Sequence, residues 1–423
     1  MSEAQPSPPI FYQFARLVLF VCYFNCVCCI IQINQLIGLP LYYYSKAWYY
    51  AWIARTKQQF GMVCVTITQW FAPTTVVVSG DDSTARLLKS GAYGRIETGF
   101  DERMVLISNH QIYADWLFMW WAAYTSRMHG AFYIILKDSL KWIPIIGTAM
   151  QLFGFIFMAR NWEKDKPAME RRLTQLRTDK DWPMWLLLYP EGTNLSPTTI
   201  EKARAYAKKT DGPLLQRTLL PRSTGLRFCL DNLKETVDYL YDCTIAYEPI
   251  GETIFAAQKY TLRSLFLEGK PPKRVHMHWR RFATKDIPMG EKEFEKWLYE
   301  RFVEKDEMLI NFYKVGHFEN TKSIETAIGL RHLSEIADLW TPTVGLLLIS
   351  KRSTRRPFKT ADSASERSKQ TFECLDKVQL GTVLEQSTRR RGLSPHSHSL
   401  TAEPNSRSPT IASVEHINYA PQA

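Results

Sequence analysis

Met104-Val105-Leu106-Ile107-Ser108-Asn109-His110-Gln111-Ile112-Tyr113-Ala114-Asp115 is the stretch whose reading decides the fold. Its first five residues are a short uncharged run of strand length, which suits a strand covered on both faces. A polar turn follows at once, and residues 116–124 are patterned as a helix. A buried strand leading into a helix is the building unit of α/β sheets, and side chains at that exit lie at the edge where such folds place ligands.

Outward from this stretch, short apolar runs bounded by turn or charge signals recur at residues 131–136, 155–158, 184–189 and 241–247. A β-branched run at 74–79 follows Pro73, and residues 168–177 are helical in pattern. Strands therefore alternate with helices, which predicts the α/β class. Residues 274–281 alternate, with Val275, Met277 and Trp279 on one face and Arg274, His276, His278 and Arg280 on the other, predicting a half-buried strand with a solvated face. His276 and His278 lack a neighbouring carboxylate or cysteine cluster, so no metal site is assigned. Residues 291–313 carry an apolar stripe (Phe294, Trp297, Leu298, Phe302, Met308, Leu309) at helical spacing.

The N-terminus differs in character. Residues 17–41 are mostly Leu, Val, Ile, Phe and Cys, preceded by Arg16 and interrupted by Asn25, Gln32, Asn34 and Gln35. About 20 apolar residues suffice to cross a bilayer. The run exceeds a signal-peptide core and has no small-residue cleavage site, so it reads as a retained anchor, with a buried helical hairpin as the alternative. Residues 48–71 combine Trp48, Tyr49, Tyr50, Trp52, Arg55 and Lys57 with an apolar second half, a pattern suited to the membrane interface. The expected organisation is an N-terminal membrane anchor of one or two helices (1–72), an α/β domain (73–285) and a C-terminal helical extension (286–350). The extension ends in a short apolar segment, 339–349, broken by Pro342 and suited to the membrane surface. Residues 351–423, rich in Ser, Thr, Arg and Lys, are expected to be a disordered basic tail.

The formal charge of +11 over 423 residues suits contact with an anionic surface, and 13 Trp, 20 Tyr and 22 Phe tilt that surface toward a bilayer. No nucleic-acid motif occurs, so nucleic-acid binding is not assigned. Four of the eight cysteines, Cys22, Cys26, Cys28 and Cys29, lie in the apolar run and read as packing or palmitoylation sites rather than metal or redox ligands. Oligomeric state is not legible.

The spacing of His110 and Asp115 can be tested against geometry. On one continuous helix five residues at about 100° each leave two side chains roughly 140° apart, too far for a hydrogen bond. His110 should therefore sit in the turn, with Asp115 in the first turn of the helix reaching back to the imidazole. A His oriented by an Asp is a general base, the His-Asp half of a triad. No G-x-S-x-G elbow occurs, so the hydroxyl to be activated is supplied more economically by a substrate than by an enzyme Ser.

This segment and three later ones resemble the glycerolipid acyltransferases, the family of lysophosphatidic acid and glycerol-3-phosphate acyltransferases. The first motif of that family is N-H-x-x-x-x-D, matched by Asn109, His110 and Asp115. Gly154, Phe157 and Arg160 match G-x-x-F-x-x-R, and Pro190-Glu191-Gly192-Thr193 matches the centre of F-P-E-G-T-R, with Tyr189 at its first position. Leu219-Leu220-Pro221-Arg222-Ser223-Thr224-Gly225 is similar to the proline-centred fourth motif. The resemblance covers residues 74–315 and is closest to the branch of lysophosphatidylinositol and lysocardiolipin acyltransferases, through Leu-Pro-Arg-Ser-Thr-Gly, His278-Trp279-Arg280-Arg281-Phe282, Trp297-Leu298 and Lys305-Asp306.

The resemblance implies an acyltransferase catalytic domain at 73–285 built on a mixed sheet flanked by helices, acyl-CoA as co-substrate with no cofactor, and a lysophospholipid acceptor, lysophosphatidylinositol-like or lysophosphatidic acid, in phospholipid synthesis or remodelling. It implies an endoplasmic reticulum membrane enzyme whose site faces the cytosol. His110 and Asp115 would be catalytic, and Asn109, Gly154, Phe157, Arg160, Glu191, Gly192, Thr193, Pro221 and Arg222 would bind substrate. Arg160 suits a phosphate, Gly192 a close backbone approach, and Glu191 a substrate hydroxyl or Arg160 itself. Backbone amides of the 109–111 turn are the expected oxyanion donors. Lys137, Lys141 and residues 142–146 are expected either on the bilayer or in a packed core helix.

Asn194 stands where many members carry Arg, which disfavours a plain phosphomonoester and fits a bulkier phosphodiester headgroup. Asn194-Leu195-Ser196 is also a glycosylation sequon, and a cytosolic site leaves it unmodified. A non-catalytic lipid-binding or membrane-shaping protein on the same fold is the alternative, against which intact His110 and Asp115 argue.

Overall fold

The computed structural model describes residues 8–91, 95–210, 212–250, 254–318 and 322–340. Three helices come first: α1 (Ile10–Gly38), α2 (Leu41–Tyr44) and α3 (Lys46–Phe71). The strands are β1 (Thr75–Gly80), β2 (Leu88–Ser90), β3 (Ile96–Thr98), β4 (Arg103–Ser108), β5 (Phe132–Lys137), β6 (Ile156–Met158), β7 (Met184–Leu188), β8 (Tyr239–Glu248), β9 (Arg274–Ala283) and β10 (Ser323–Ala327). Between and after them lie α4 (Asp115–Thr125), α5 (Ile146–Leu152), α6 (Trp162–Thr178), α7 (Pro197–Thr210), α8 (Ser223–Leu233), α9 (Ala256–Lys259), α10 (Glu291–Val315) and α11 (Ser334–Trp340).

Eight strands form one sheet in the order β10-β1-β9-β8-β4-β7-β5-β6, and β2 and β3 make a separate hairpin. Five of the seven pairings are parallel; β1 with β10 and β8 with β9 are antiparallel. The uncharged strand sequences follow from coverage on both faces. Met104 and Leu106 of β4, with Trp185 and Leu187 of β7, pack toward α1, α3 and α4. Val105 and Ile107, with Leu186 and Leu188, pack toward α6, α8 and α10. Strand parity thus divides the core into two layers. β4 leads through α4 to β5, two places away, while β8 lies on its other side. The exit of β4 is therefore a point where strand order reverses.

α1, continued by α2, is long and apolar enough to cross a membrane by length and composition, and most of its apolar window is not buried. It starts earlier than the apolar run suggested, at Ile10. α3 departs from the expected interfacial helix, because residues 60–68 are buried without a break. Phe60 meets Trp120 of α4 at 4.8 Å between ring centres and Phe153 at 6.0 Å. The apolar half of α3 therefore belongs to the packing of the sheet, and residue 72 is not a packing boundary.

A second correction concerns β9. His276 and His278 are each only 5% exposed, not solvated. α10 and the chain after it cover that face, with Phe312 at 4.7 Å from His276 and Phe318 at 5.1 Å from His278. Alternation of polar residues marked the face correctly but could not show that a later helix lies over it. Residues 142–146 form neither of the two expected arrangements fully: a short 3-10 turn, Asp138–Trp142, leaves Trp142, Ile143 and Ile145 exposed. The apolar segment from 341 on and the 351–423 tail lie outside the described residues.

Under α10, Asp242 of β8 accepts from Arg280 Nε at 2.9 Å and from Lys305 Nζ, both partners being buried with it. Arg280 also pairs with Glu304 at 2.6 Å. Replacing one member of a buried ion group leaves the others uncompensated. Asp242→Asn should lower unfolding stability by about 3–5 kcal/mol in chemical denaturation; a change below about 1 kcal/mol would show that α10 is held by its apolar stripe alone.

Candidate active site

Asn109 ends β4 by acting as one more rung of the ladder. Its side-chain amide donates to the Ile245 carbonyl at 2.9 Å and accepts from Ile245 N at 2.8 Å. The backbone is thereby released from the sheet while the strand stays anchored, and His110 begins the turn. Asn109 is fully buried, so this residue, expected to bind substrate, instead fixes the turn from below.

Asp115 is the first residue of α4, at the positive end of the helix dipole. Its Oδ2 accepts from His110 Nδ1 at 2.8 Å, from Gln111 N at 2.6 Å and from Ile112 N at 3.0 Å, and its Oδ1 accepts from the Tyr247 hydroxyl. The loop-borne imidazole and helix-borne carboxylate required by the five-residue spacing are both present. A carboxylate acceptor at Nδ1 leaves Nε2 as the basic nitrogen of the ring. The Asp115 side chain is wholly buried while that of His110 is 20% exposed, so the imidazole reaches the surface and the carboxylate that orients it does not. Burial, then the Asp115 charge, pushes the Tyr247 phenol well above its ordinary range and keeps it a donor.

The loops after β6 and β7 close around this turn. Glu191 is buried, and its Oε1 accepts from His110 N at 3.3 Å, while Leu195 N donates to the His110 carbonyl at 2.7 Å. Burial pushes the Glu191 carboxyl well above the usual carboxylate range, and the bond from His110 N only partly opposes this. Tyr189 stacks on the imidazole at 4.5 Å between ring centres, with 24° between planes. Glu191 therefore braces the His110 turn and does not hold Arg160. Arg160, at a left-handed φ of 64°, donates instead to the Gly192 carbonyl at 2.5 Å. Its turn is held by buried Asp165, which accepts from Ala159 N at 2.7 Å and Asn161 N at 3.0 Å.

Gly192, at φ 71°, is exposed between two cations. Arg222 Nε lies 3.8 Å from where a Cβ on Gly192 would stand, and Arg222 N donates to the Pro190 carbonyl at 2.8 Å. Arg160 and Arg222, both exposed, thus flank one glycine beside His110, an arrangement able to grip an anion. Thr193 and Asn194 continue this loop half-exposed, and Pro221 is buried at the start of α8. Gly154 and Phe157 play structural parts. Gly154 turns at φ 72° with its carbonyl capped by Arg172 Nε at 2.8 Å, and Phe157 of β6 packs against the core.

The supporting roles of several residues, Asp306 among them, were not read from the sequence. Gln111 Nε2 donates to the Arg217 carbonyl at 2.8 Å, and Asp306 of α10 accepts from the backbone amides of Gln216, Arg217 and Thr218. The chain leading into the proline-centred motif is thereby tied to the His110 turn. Tyr247 was findable: strand parity places it with Tyr241, Cys243 and Ile245 on the α4 face of β8. One expectation is corrected. The amides of His110 and Gln111, taken as oxyanion donors, are already bonded to Glu191 and Asp115, because the two buried carboxylates consume them. Among the described residues no group of His, Cys, Asp and Glu could hold a metal ion.

Comparison with known proteins places this geometry in context. The family model described as Acyltransferase matches residues 76–248, and that described as Acyltransferase C-terminus matches residues 265–336. The chain is 40% identical over 310 residues to an uncharacterized acyltransferase of Schizosaccharomyces pombe, spanning 73% of this chain and 88% of that protein. It is 34% identical over 363 residues to the 2-acyl-1-lysophosphatidylinositol acyltransferase of Saccharomyces cerevisiae, spanning 76% and 91%. Lysocardiolipin acyltransferase 1 of Gallus gallus is 34% identical over 283 residues, spanning 66% and 68%.

Asp115 accepts from four donors, so its removal and the removal of one donor should differ. Asp115→Ala should lower unfolding stability by about 3–5 kcal/mol, and Tyr247→Phe by about 1.5–3 kcal/mol, in chemical denaturation. Equal losses would mean that the carboxylate is not the shared acceptor.

Proposed function

The chain belongs to the acyltransferase family, and on that premise we propose that it transfers a fatty acyl chain from acyl-CoA to the free hydroxyl of a lysophospholipid. It is an O-acyltransferase, with relatives named for lysophospholipid acceptors. The observation that carries the mechanism is the 2.8 Å pair of His110 Nδ1 and Asp115 at the exit of β4. His110 Nε2 takes the proton of the acceptor hydroxyl as its oxygen attacks the thioester carbonyl. The carbon–sulfur bond breaks and CoA leaves as the thiol, with no acyl-enzyme. Asp115 holds the Nδ1 proton and stabilises the imidazolium that forms.

Arg160 and Arg222 beside Gly192 suit the acceptor phosphate. Asn194, on the same loop, offers no charge, which favours a phosphodiester headgroup of the lysophosphatidylinositol type over lysophosphatidate. That choice accords with the named acceptor of the Saccharomyces cerevisiae relative. The apolar α1 fits attachment to the endoplasmic reticulum membrane with the site on the cytosolic side, where the lipid acceptor lies in the bilayer and acyl-CoA in the water.

Purified protein with labelled acyl-CoA and a panel of lysophospholipids tests this reading. His110→Ala should slow transfer about 10²–10⁴-fold, and an unchanged rate removes the base assignment. Transfer to no acceptor would favour the non-catalytic, lipid-binding alternative. Asn194→Arg should raise kcat/KM for lysophosphatidate relative to lysophosphatidylinositol by about 10-fold; an unchanged ratio would show that this position does not read the headgroup.

A further inference from the structure

β4, β7, β5 and β6 run parallel, so the chain leaves all of them at one edge of the sheet. His110 follows β4 there, and residues 138–145 follow β5. In that connection Trp142, Ile143, Pro144 and Ile145 are exposed in succession, Trp142 to 60%. Apolar residues scattered singly over a surface are ordinary, but a contiguous run of them marks a surface that meets something.

The segment is also rigid. Ile145 has φ 65° and ψ −63°, and Ile146 N donates to the Pro144 carbonyl at 2.7 Å. That is a γ-turn of positive φ, a rare and strained conformation to which a β-branched side chain is poorly suited. The turn is held from both sides: Gly147 N donates to the Ile143 carbonyl at 2.8 Å, and Gln151 Nε2 donates to the Lys141 carbonyl at 3.0 Å. A Cβ on Gly147 would stand 2.3 Å from the Lys141 carbonyl oxygen, so the 3-10 turn and α5 meet closely. The backbone thus carries strain that holds an apolar tip away from the core, which points to a use for that tip.

The neighbours of the tip indicate what covers it. Gln35 Nε2 of α1 donates to the Ala149 carbonyl of α5 at 3.2 Å, so α5 and α1 adjoin. On the same stretch of α1, Ile33, Leu36 and Ile37 are about half exposed, on the helix that is apolar enough to cross a membrane. Lys137 is exposed and makes no ion pair among the described residues, while Lys141 pairs with Asp138 at 2.6 Å and lies 5.2 Å from the Trp142 ring. Tryptophan beside lysine at the rim of an apolar surface is the pattern of a membrane interface, whereas protein interfaces are depleted in lysine.

We propose that residues 142–145 are a rigid wedge that enters the lipid bilayer beside α1 and turns the sheet edge bearing His110 toward the membrane. One helix alone leaves a domain free to tilt on the surface. A second contact, on the edge that carries His110, removes that freedom and sets the height of the edge above the lipid.

The test reads lipid contact, not acyl transfer. Full-length protein with a benzophenone amino acid in place of Trp142, reconstituted in vesicles of phosphatidylcholine and phosphatidylserine and irradiated, should give a lipid mass adduct on the peptide containing residue 142. The same probe in place of Lys285 should give none, since β8 is parallel to β4 and β9 antiparallel to β8, which delivers the exposed Lys285 to the opposite edge of the sheet. Ile143→Ser combined with Ile145→Gly, in which glycine takes the positive φ freely, should keep the thermal unfolding midpoint and lower the adduct yield at 142 at least about 5-fold. No adduct at 142, equal adducts at 142 and 285, a crosslink to a second copy of the chain in place of lipid, or an unchanged yield in the double variant overturns the proposal.

Discussion

Everything around the candidate site depends on one buried carboxylate. Asp115 has no solvent contact, and four donors converge on it: an imidazole, two backbone amides and a phenol. A charge taken from water is tolerated only when it is hydrogen-bonded this fully. The consequence is rigidity, because the carboxylate orients the ring of His110 and also ties the turn that bears it to the first residue of α4. Base and turn therefore move as one unit with the helix.

The same device recurs around the site. Glu191 bonds the backbone of His110, Asp165 holds the turn of Arg160, and Asp306 gathers three amides of the chain before Pro221. Each motif loop is irregular, so its amides lack partners in the sheet, and a buried acid supplies them. This explains why the loops are precise without regular secondary structure. It also explains why amides near His110 are not free to meet developing charge, since they already serve the scaffold.

The fold and the geometry of the His110–Asp115 pair were legible in the sequence because both rest on local rules. Uncharged runs of strand length, separated by helical patterns, report two-sided burial wherever they occur, and nearly every such run became a strand. The five-residue step from His110 to Asp115 admits one sensible geometry, turn then helix, and the structure has it. The edge strand β10 and the hairpin of β2 and β3 escaped because short, polar, one-sided strands carry no such pattern.

By itself the sequence determined the α/β class, the alternation that divides the core, the long apolar first helix and the His-Asp pair, since each is a property of residues close along the chain. Only the tertiary structure decided the rest. Asn109 and Glu191 turned inward as braces, α3 entered the core, His276 and His278 were covered, and Tyr247 met Asp115. Those outcomes depend on which distant segment arrives to bury a polar group or satisfy it. Tyr247 lies 132 residues from the carboxylate it serves, a separation across which no local pattern carries information.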